Sequence, residues 1–136
     1  MKRLDEKVAV SGQVHPEDLP DLARAGVRTL INNRPDGEEP GQPSAADLAD
    51  AARKAGLAYH EIPIARGFPD AAVQDMADAL ETSPGPALAF CKSGTRSTYL
   101  WALARARAGD DPEELRAKAE AAGYDLSPIA PLMQSH

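Results

Sequence analysis

The chain's single cysteine lies in a short segment whose neighbours could make it a nucleophile. Residues 90–97 are Phe-Cys-Lys-Ser-Gly-Thr-Arg-Ser, and an apolar run precedes Cys91. A strand that ends in a tight loop opening a helix directs successive backbone N–H groups at one point, which makes an anion site. Since such a site favours the thiolate, we expect a lowered pKa for Cys91. The pattern predicts nucleophilic catalysis rather than a small buried side chain at a strand end, where a lone cysteine is usually found.

The residues that follow Cys91 supply the other parts of such a loop. Gly94 allows backbone conformations that a Cβ would block, and Arg96 can donate two parallel hydrogen bonds to an oxyanion. Ser97 is expected either to hydrogen-bond the sulfur or to cap the following helix. We therefore predict Cys91, Arg96 and Ser97 as catalytic residues. The predicted anion-binding loop consists of Lys92, Ser93, Gly94 and Thr95.

Alternating strand-like and helix-like patterns predict the elements that position this loop. Short apolar or β-branched runs predict strands at residues 8–10, 27–31, 58–64 and 86–90. Longer segments bounded by glycine or proline predict helices at 16–25, 45–55, 71–80, 97–108 and from Pro112 to just before Gly123. Ser44, Asp70 and Asp111 are expected to cap the second, third and fifth helices. This order predicts an α/β fold, a mainly parallel sheet with helices on both faces.

Composition and charge narrow the classes of function. The 136 residues suit a single domain over 1–136, and the net charge of −6 argues against a broad nucleic-acid-binding face. No apolar run reaches the roughly 18 residues of a membrane span, and the first residues lack the apolar segment of a signal peptide. One cysteine allows no internal disulfide and favours the reducing cytoplasm. The histidines show no metal-ligand spacing, so we expect no metal. We also expect no cofactor. The net charge and the short apolar runs predict neither a nucleic-acid nor a membrane partner.

The longest irregular segment, residues 34–43, follows a predicted strand and should lie at the same sheet edge as Cys91. Arg34 is expected either to add a positive charge to the site or to pair with a neighbouring glutamate. Gln13 follows the first strand and should border the same edge. Three carboxylates of the segment either bind the amino group of an acceptor thiol such as glutathione or lie in a solvated turn. They are Asp36, Glu38 and Glu39.

The loop length distinguishes two enzyme classes. Cysteine phosphatases of the tyrosine and dual-specificity types use Cys-x5-Arg, whereas the Cys-x4-Arg of this chain resembles the loop of rhodaneses, which carry sulfur as a cysteine persulfide. Over nearly its full length the chain resembles the bacterial beta-lactamase hydrolase-like family, whose phosphatase-like domain occurs alone or fused to a persulfide dioxygenase. The resemblance implies the fold of the dual-specificity phosphatases. It rests on motifs at residues 11–13, 32–38, 41–43, 62–63, 91–97, 100–103 and 122–126.

The resemblance also shows where a general acid should stand. In dual-specificity phosphatases an aspartate follows an Ile-Pro-like strand end by a few residues and protonates the leaving group. Here Ile62-Pro63 is followed by Ile64-Ala65-Arg66-Gly67, so Arg66 occupies the acid's place. Arg66 is expected either to bind an anionic substrate or to be exposed. The nearest carboxylate, that of Asp70, is explained by helix capping.

A site without an acid favours sulfur transfer over phosphate hydrolysis. The Cys91 thiolate would attack thiosulfate or a persulfide, a small anionic donor, and sulfite or a thiol would leave without needing a proton. A thiol such as glutathione would accept the sulfur, and the resemblance implies a persulfide dioxygenase as functional partner. The alternative is a cysteine-dependent phosphatase with a phosphocysteine held by Arg96, Ser97 assisting its hydrolysis. A third interpretation is a non-catalytic anion-binding or redox-sensing module.

Overall fold

A five-stranded sheet forms the centre of the protein, which is described by a computed structural model over residues 1–134. The strand order is β1-β2-β5-β3-β4; β2, β5, β3 and β4 are parallel, and β1 is antiparallel to β2. The mainly parallel sheet that the sequence predicts is therefore confirmed. Its strands are β1 (Lys2–Arg3), β2 (Val8–Ser11), β3 (Thr29–Asn32), β4 (Ala58–Glu61) and β5 (Ala87–Phe90).

Helices cover both faces of this sheet. Because side chains alternate along a strand, Leu30 of β3 packs in one hydrophobic cluster and its neighbour Ile31 packs in the other. Trp101, fully buried, lies in the cluster with Ile31. No helix within residues 1–134 is long and apolar enough to cross a bilayer. The helices are α1 (Leu19–Arg24), α2 (Ala45–Ala55), α3 (Asp70–Thr82), α4 (Thr95–Arg107), α5 (Pro112–Ala121) and α6 (Ala130–Met133), with 3₁₀ turns at Pro16–Asp18 and Ser127–Ile129.

The strand register brings the ends of the parallel strands to one edge of the sheet. Phe90, the last residue of β5, is opposite Ser11 of β2 on one side and Asn32 of β3 on the other. Asn32 is in turn opposite Glu61 of β4. The loops that leave β2, β3, β4 and β5 therefore start side by side. We call this edge the carboxyl edge, and the opposite edge, where these strands begin, the amino edge.

Local capping agrees with the sequence at two helices and differs at a third. The Ser44 hydroxyl accepts a hydrogen bond from the Asp47 amide at 3.1 Å, and Asp111 accepts one from the amide of Glu113 at 3.3 Å. The predicted cap at Asp70 is wrong. That residue is the first of α3, and its carboxylate pairs with Arg107 at the end of α4. An ion pair to a neighbouring helix thus replaces the local hydrogen bond.

Candidate active site

Cys91 lies at the carboxyl edge, directly after β5, and its side chain is 1% exposed. Its amide donates to the carbonyl of Ser11 at 3.3 Å, which extends the pairing of β5 with β2 by one residue. The chain then turns through Gly94, whose φ is +89°, and α4 begins at Thr95. This turn aims the Gly94 N–H at the Cys91 sulfur, 3.1 Å away.

The loop lowers the pKa of the Cys91 thiol despite its burial. Burial alone would raise the pKa, because a charge is poorly solvated in the interior. Hydrogen bonds from the backbone N–H groups of Ser97, Ser93 and Gly94 outweigh this effect, and the nearby Ser97 hydroxyl acts in the same direction. The direction of this shift agrees with the lowered pKa expected from the sequence, and a thiol so placed is suited to act as a nucleophile.

Ser97 faces the sulfur and does not cap the helix. The helix α4 starts two residues earlier, with Gly94 as its N-cap, so that alternative is wrong. The Ser97 hydroxyl is buried and makes no hydrogen bond of ordinary geometry to any described residue, yet it lies close enough to favour the Cys91 thiolate. A buried hydroxyl without a partner is available to a reacting group.

Two neighbouring segments pack so closely against the loop that they require glycine. A Cβ on Gly94 would lie 2.3 Å from the hydroxyl oxygen of Tyr124, which donates to the carbonyl of Ser93 at 3.2 Å. A Cβ on Gly12 would lie 2.9 Å from the carbonyl oxygen of Lys92. The loop is thus supported by the residues after β2 and by the segment after α5.

Arg96 is held by a carboxylate and a carbonyl from two other loops. Its Nη1 donates to Glu38 Oε2 and to the carbonyl of Ile64, both at 2.8 Å, and its Nη2 donates to Glu38 Oε1 at 2.9 Å. Glu38 is the main cause of the raised pKa of Arg96, and the Cys91 thiolate raises it further. These bonds leave the Nε–H and one Nη2–H, which share an edge of the guanidinium, free to bind an oxyanion next to the sulfur.

Glu38 also binds Arg34, which joins the irregular segment to the site. Arg34 is 4% exposed; its Nε donates to Glu38 Oε1 at 2.8 Å, and its Nη1 donates to Gln13 Oε1 at 2.9 Å. Glu39 Oε1 lies 3.4 Å from Arg34 Nη2 and 2.6 Å from Lys92 Nζ. Of the two alternatives for Arg34, the ion pair is the one observed. Hydrogen bonds from Arg96 and Arg34 hold the pKa of the Glu38 carboxyl at about 2.

The carboxyl edge also contains the buried side-chain polar atoms that find no hydrogen-bond partner within residues 1–134. They are Asn33 Oδ1, Ser97 Oγ and Arg34 Nη2, and the last of these has an ion pair with Glu39 Oε1 at 3.4 Å in place of a hydrogen bond. Asn33 itself is well anchored, since its amide donates to the Phe90 carbonyl at 2.8 Å and its Nδ2 donates to the Ile62 carbonyl at 2.9 Å. Unpartnered buried groups are costly unless a ligand or substrate satisfies them, so their clustering marks a site.

The remaining predicted residues lie at the margins. Arg66 is exposed in the turn after Ile64, and no residue in the described range 1–134 pairs with it. Asp36 accepts a hydrogen bond from the Ala45 amide at 2.8 Å, so its carboxylate supports the start of α2 and is not free to bind an amino group. Glu38 and Glu39 are likewise engaged by cations. Binding of the amino group of an acceptor thiol by these carboxylates therefore stays a prediction.

The sequence missed three features of the site. The pairing of Glu38 with Arg96 joins residues 58 positions apart, which no local pattern reveals. Tyr124 and Gly12 were noted only as parts of motifs, although both pack against the catalytic loop. The signal that could have found them is the presence of glycine and tyrosine in segments 11–13 and 122–126, outside any helix or turn that requires them.

This geometry agrees with comparison to known proteins. The family model described as "Beta-lactamase hydrolase-like protein, phosphatase-like domain" matches residues 1–108. The chain belongs to this family. A beta-lactamase hydrolase-like protein of Xylella fastidiosa (strain Temecula1) is 42% identical over 125 residues, 90% of this chain but 29% of the Xylella protein. The chain thus spans less than a third of that relative, and the resemblance inferred from the sequence motifs is confirmed.

Solved structures agree on the fold. A protein from Neisseria meningitidis Z2491, provisionally named a phosphatase, superposes with a TM-score of 0.82 at 32% identity, covering 98% of this chain and 95% of that one. The kinase associated phosphatase superposes with a TM-score of 0.72 at 18% identity, covering 95% and 88%. The second likeness shows the fold alone. This family member therefore has the α/β fold of the cysteine phosphatases.

Proposed function

We propose that this chain is a cysteine-dependent phosphatase. The observation that carries the proposal is the joint position of Cys91 and Arg96. A buried thiol with a lowered pKa lies beside a guanidinium that keeps one donor edge free. The phosphatase-like family and the fold support the same class of chemistry.

In the first step the Cys91 thiolate attacks the phosphorus of a bound phosphate monoester. The S–P bond forms as the P–O bond to the leaving group breaks. Loop N–H groups and the free edge of Arg96 donate to the phosphoryl oxygens, whose charge they stabilise in the transition state. The Gly94 N–H already points at the position of the negative charge in the resting site.

In the second step a water molecule attacks the phosphocysteine. The S–P bond breaks, the thiolate re-forms, and one proton of the water ends on the released phosphate. The unpartnered hydroxyl of Ser97 can donate to the departing sulfur, which favours the thiolate as a leaving group. No metal or organic cofactor enters either step.

The test is to trap the phosphoenzyme. Incubation of Ser97→Ala with a phosphate ester, acid quenching and intact mass analysis should show a phosphoryl adduct that is absent from Cys91→Ser. Phosphate release by the wild type, with vanadate protecting Cys91 from alkylation, should accompany it. An unmodified protein that releases no phosphate from any ester, and whose Cys91 vanadate does not protect, would contradict the proposal.

Sulfur transfer is a second candidate, and one observation favours it. An arginine, Arg66, stands where a phosphatase of this fold would carry its acid, and thiosulfate releases sulfite without protonation. In this scheme Cys91 accepts sulfur from thiosulfate or a persulfide and passes it to a thiol such as glutathione. A Cys91 adduct heavier by one sulfur after incubation with thiosulfate, together with free sulfite and no phosphatase turnover, would favour this candidate.

A further inference from the structure

The carboxylate nearest to Arg96 cannot act as a proton donor. Both oxygens of Glu38 accept hydrogen bonds from Arg96, and one of them also accepts from Arg34. With a pKa of about 2, Glu38 is ionised at neutral pH and has no proton to give. It positions the guanidinium and stays an anion throughout the reaction.

Two other acidic groups at this edge already have partners. Glu39 pairs with Lys92, and Asp36 accepts a hydrogen bond from the Ala45 amide. Glu61, which ends β4, lines a separate groove between β4 and α3. The Tyr124 hydroxyl donates its proton to the Ser93 carbonyl, and burial together with the Cys91 charge raises its pKa.

The two histidines within residues 1–134 lie in other surroundings. His60 lines a groove between β4 and α3 together with Asp75 and Asp78. His15 Nδ1 lies 3.9 Å from a carboxylate oxygen of Glu17, in the first 3₁₀ turn. Neither hydrogen-bonds a residue of the catalytic loop. Within residues 1–134 the carboxylates paired with residues of the catalytic loop, Glu38 and Glu39, are thus both held by cations.

Arg66 follows by two residues the carbonyl of Ile64, which accepts a hydrogen bond from Arg96. The turn that contains Arg66 is fixed to α4 at both ends: the Ile64 carbonyl accepts from Arg96, and the Phe68 ring packs edge-on against Tyr99 with centroids 6.2 Å apart. Arg66 is exposed and has no ion-pair partner in residues 1–134. A guanidinium cannot supply a proton at neutral pH, but it stabilises negative charge that develops beside it.

We infer that the substrates of this site are phosphoryl compounds whose leaving group departs as a stable anion, as in acyl phosphates and phosphoric anhydrides, and that Arg66 binds that departing anion. The inference rests on the proposed phosphatase function. The thiolate of Cys91 forms the S–P bond, and the P–O bond breaks with its electron pair going to the carboxylate or phosphate that leaves. No proton is transferred in this step.

The test is the dependence of kcat/KM on the leaving group. Across aryl phosphates whose phenols have pKa values from about 5 to about 10, the rate should fall roughly tenfold per unit, since no acid offsets the charge on the leaving oxygen. Acetyl phosphate and inorganic pyrophosphate are then compared as acyl phosphate and anhydride. We expect at least one of them to be hydrolysed about 100-fold faster than phenyl phosphate.

Two variants and a matched control sharpen the test. Arg66→Ala should slow the hydrolysis of pyrophosphate, whose departing phosphate carries about two charges, about tenfold, and should slow that of para-nitrophenyl phosphate less, since its single charge is spread over the aromatic ring. Arg66→Asp should flatten the leaving-group dependence by adding an acid, with its largest gain on phenyl phosphate. Arg24→Ala removes another exposed arginine, which lies on α1 and is 72% exposed, and should change neither the rates nor the leaving-group dependence.

The outcomes separate this inference from the function on which it rests. Turnover with a flat leaving-group dependence in the wild type, or equal loss for all substrates in Arg66→Ala, overturns the inference and leaves the phosphatase standing. Failure to form a phosphocysteine from any substrate, acetyl phosphate included, overturns the phosphatase itself. A steep dependence that Arg66→Asp flattens supports both.

Discussion

The two edges of the parallel sheet both carry charged residues, but they connect them differently. At the carboxyl edge, Glu38 binds both Arg34 and Arg96. Since Arg96 lies 58 positions beyond Glu38, this carboxylate connects two loops. At the amino edge, Arg105 pairs with Asp110, which lies only five residues away beyond the end of α4. A pair between distant loops fixes their relative position, whereas a local pair only closes its own turn.

The larger cavity lies at the amino edge, away from Cys91. A cleft of about 1140 Å³ opens there between the β1–β2 turn and the ends of α3 and α4, lined by Asp5, Arg105 and Lys118 among others. The Asp5 carboxylate accepts hydrogen bonds from the amides of Lys7 and Val8, at 2.7 and 2.8 Å. Within residues 1–134 the unpartnered buried polar atoms lie at the other edge. The unpartnered buried polar atoms therefore coincide with the proposed site, whereas this cleft does not.

The largest expected effect is the loss of the nucleophile at the carboxyl edge. Cys91→Ser should lower phosphate release at least about 1000-fold, because an alcohol at this position has no comparable tendency to ionise. The melting temperature should change by only a few degrees, since the two side chains are similar in size. Phosphate release and thermal unfolding measure the two effects. Activity retained by Cys91→Ser would move the site elsewhere in the molecule.

A glycine at each edge separates backbone strain from crowding. Gly94 and Gly109 have φ values of +89° and +107°, but only at Gly94 would a Cβ meet a neighbour within 4 Å. Gly109→Ala should cost about 1 kcal/mol for its left-handed backbone, and Gly94→Ala about 2 kcal/mol or more, because its Cβ also meets Tyr124. Denaturant unfolding gives both values. Alkylation rates of Cys91 measured against pH give the pH at which half of the thiol is ionised, and this midpoint should rise only in Gly94→Ala.

The double variant Gly94→Ala/Tyr124→Phe identifies the cause of that difference. Removing the Tyr124 hydroxyl leaves its Cζ, 3.2 Å from the Cβ, as the nearest atom, so about half of the lost stability should return. The strain of a positive φ remains in both variants. Equal destabilisation by Gly94→Ala and Gly109→Ala would show that Tyr124 yields without cost.

How far the sequence predicts this architecture depends on the range of each interaction. The caps at Ser44 and Asp111 and the catalytic loop at residues 91–97 are local, and they are found where the residues indicate. Strand β1 has two residues and α6 has four, too short for a periodic pattern to appear. The predicted helix cap at Asp70 is wrong because a distant partner, Arg107, pairs with its carboxylate.

The site was predicted as a set of residues but not as an arrangement. Cys91, Arg96 and Ser97 are adjacent in sequence, so their proximity follows from one loop. The role of Glu38 depends on β3 and β5 being neighbours in the sheet, which brings the segment after Asn33 against the catalytic loop. No spacing in the sequence states that adjacency. The presence of an arginine at position 66, in contrast, is read directly from the sequence.

The next effect concerns Glu38, which the carboxyl edge shares between two arginines. Glu38→Gln removes a charged partner from Arg34 and Arg96, and we expect a loss of about 2 kcal/mol in stability and a tenfold fall in kcat/KM. Since the folded-state pKa of Glu38 lies below its usual value of 4.5, its stabilisation is present above pH 4.5 and disappears as the pH falls toward 2. Unfolding free energies of wild type and variant should therefore converge over that range.

Glu39→Gln is the matched control for that variant. Glu39 pairs with Lys92, whose side chain is 63% exposed, so solvent screens the interaction. We expect a stability change much smaller than that of Glu38→Gln and little change in kcat/KM. Equal effects of the two substitutions would mean that connecting two loops adds nothing to an ordinary surface pair.

The smallest expected effect tests the independence of the amino edge. Arg105 holds Asp110 through two hydrogen bonds, of 2.9 and 3.1 Å, and lowers the pKa of that carboxyl, but both side chains are 34% exposed. Asp110→Asn should therefore lower the free energy of unfolding by about 0.5 kcal/mol. This loss should be complete only above the usual pKa of an aspartate. Below that pH the carboxyl of the unfolded chain is protonated, so the stabilisation by the pair decreases as the pH falls further. Phosphate release and the Cys91 alkylation midpoint should not change, since the pair closes a turn that touches no loop of the carboxyl edge. A shifted midpoint in Asp110→Asn would show that α4 transmits the change along its length, since this helix starts at the catalytic loop and ends near the pair. The electrostatics of the two edges would then be coupled.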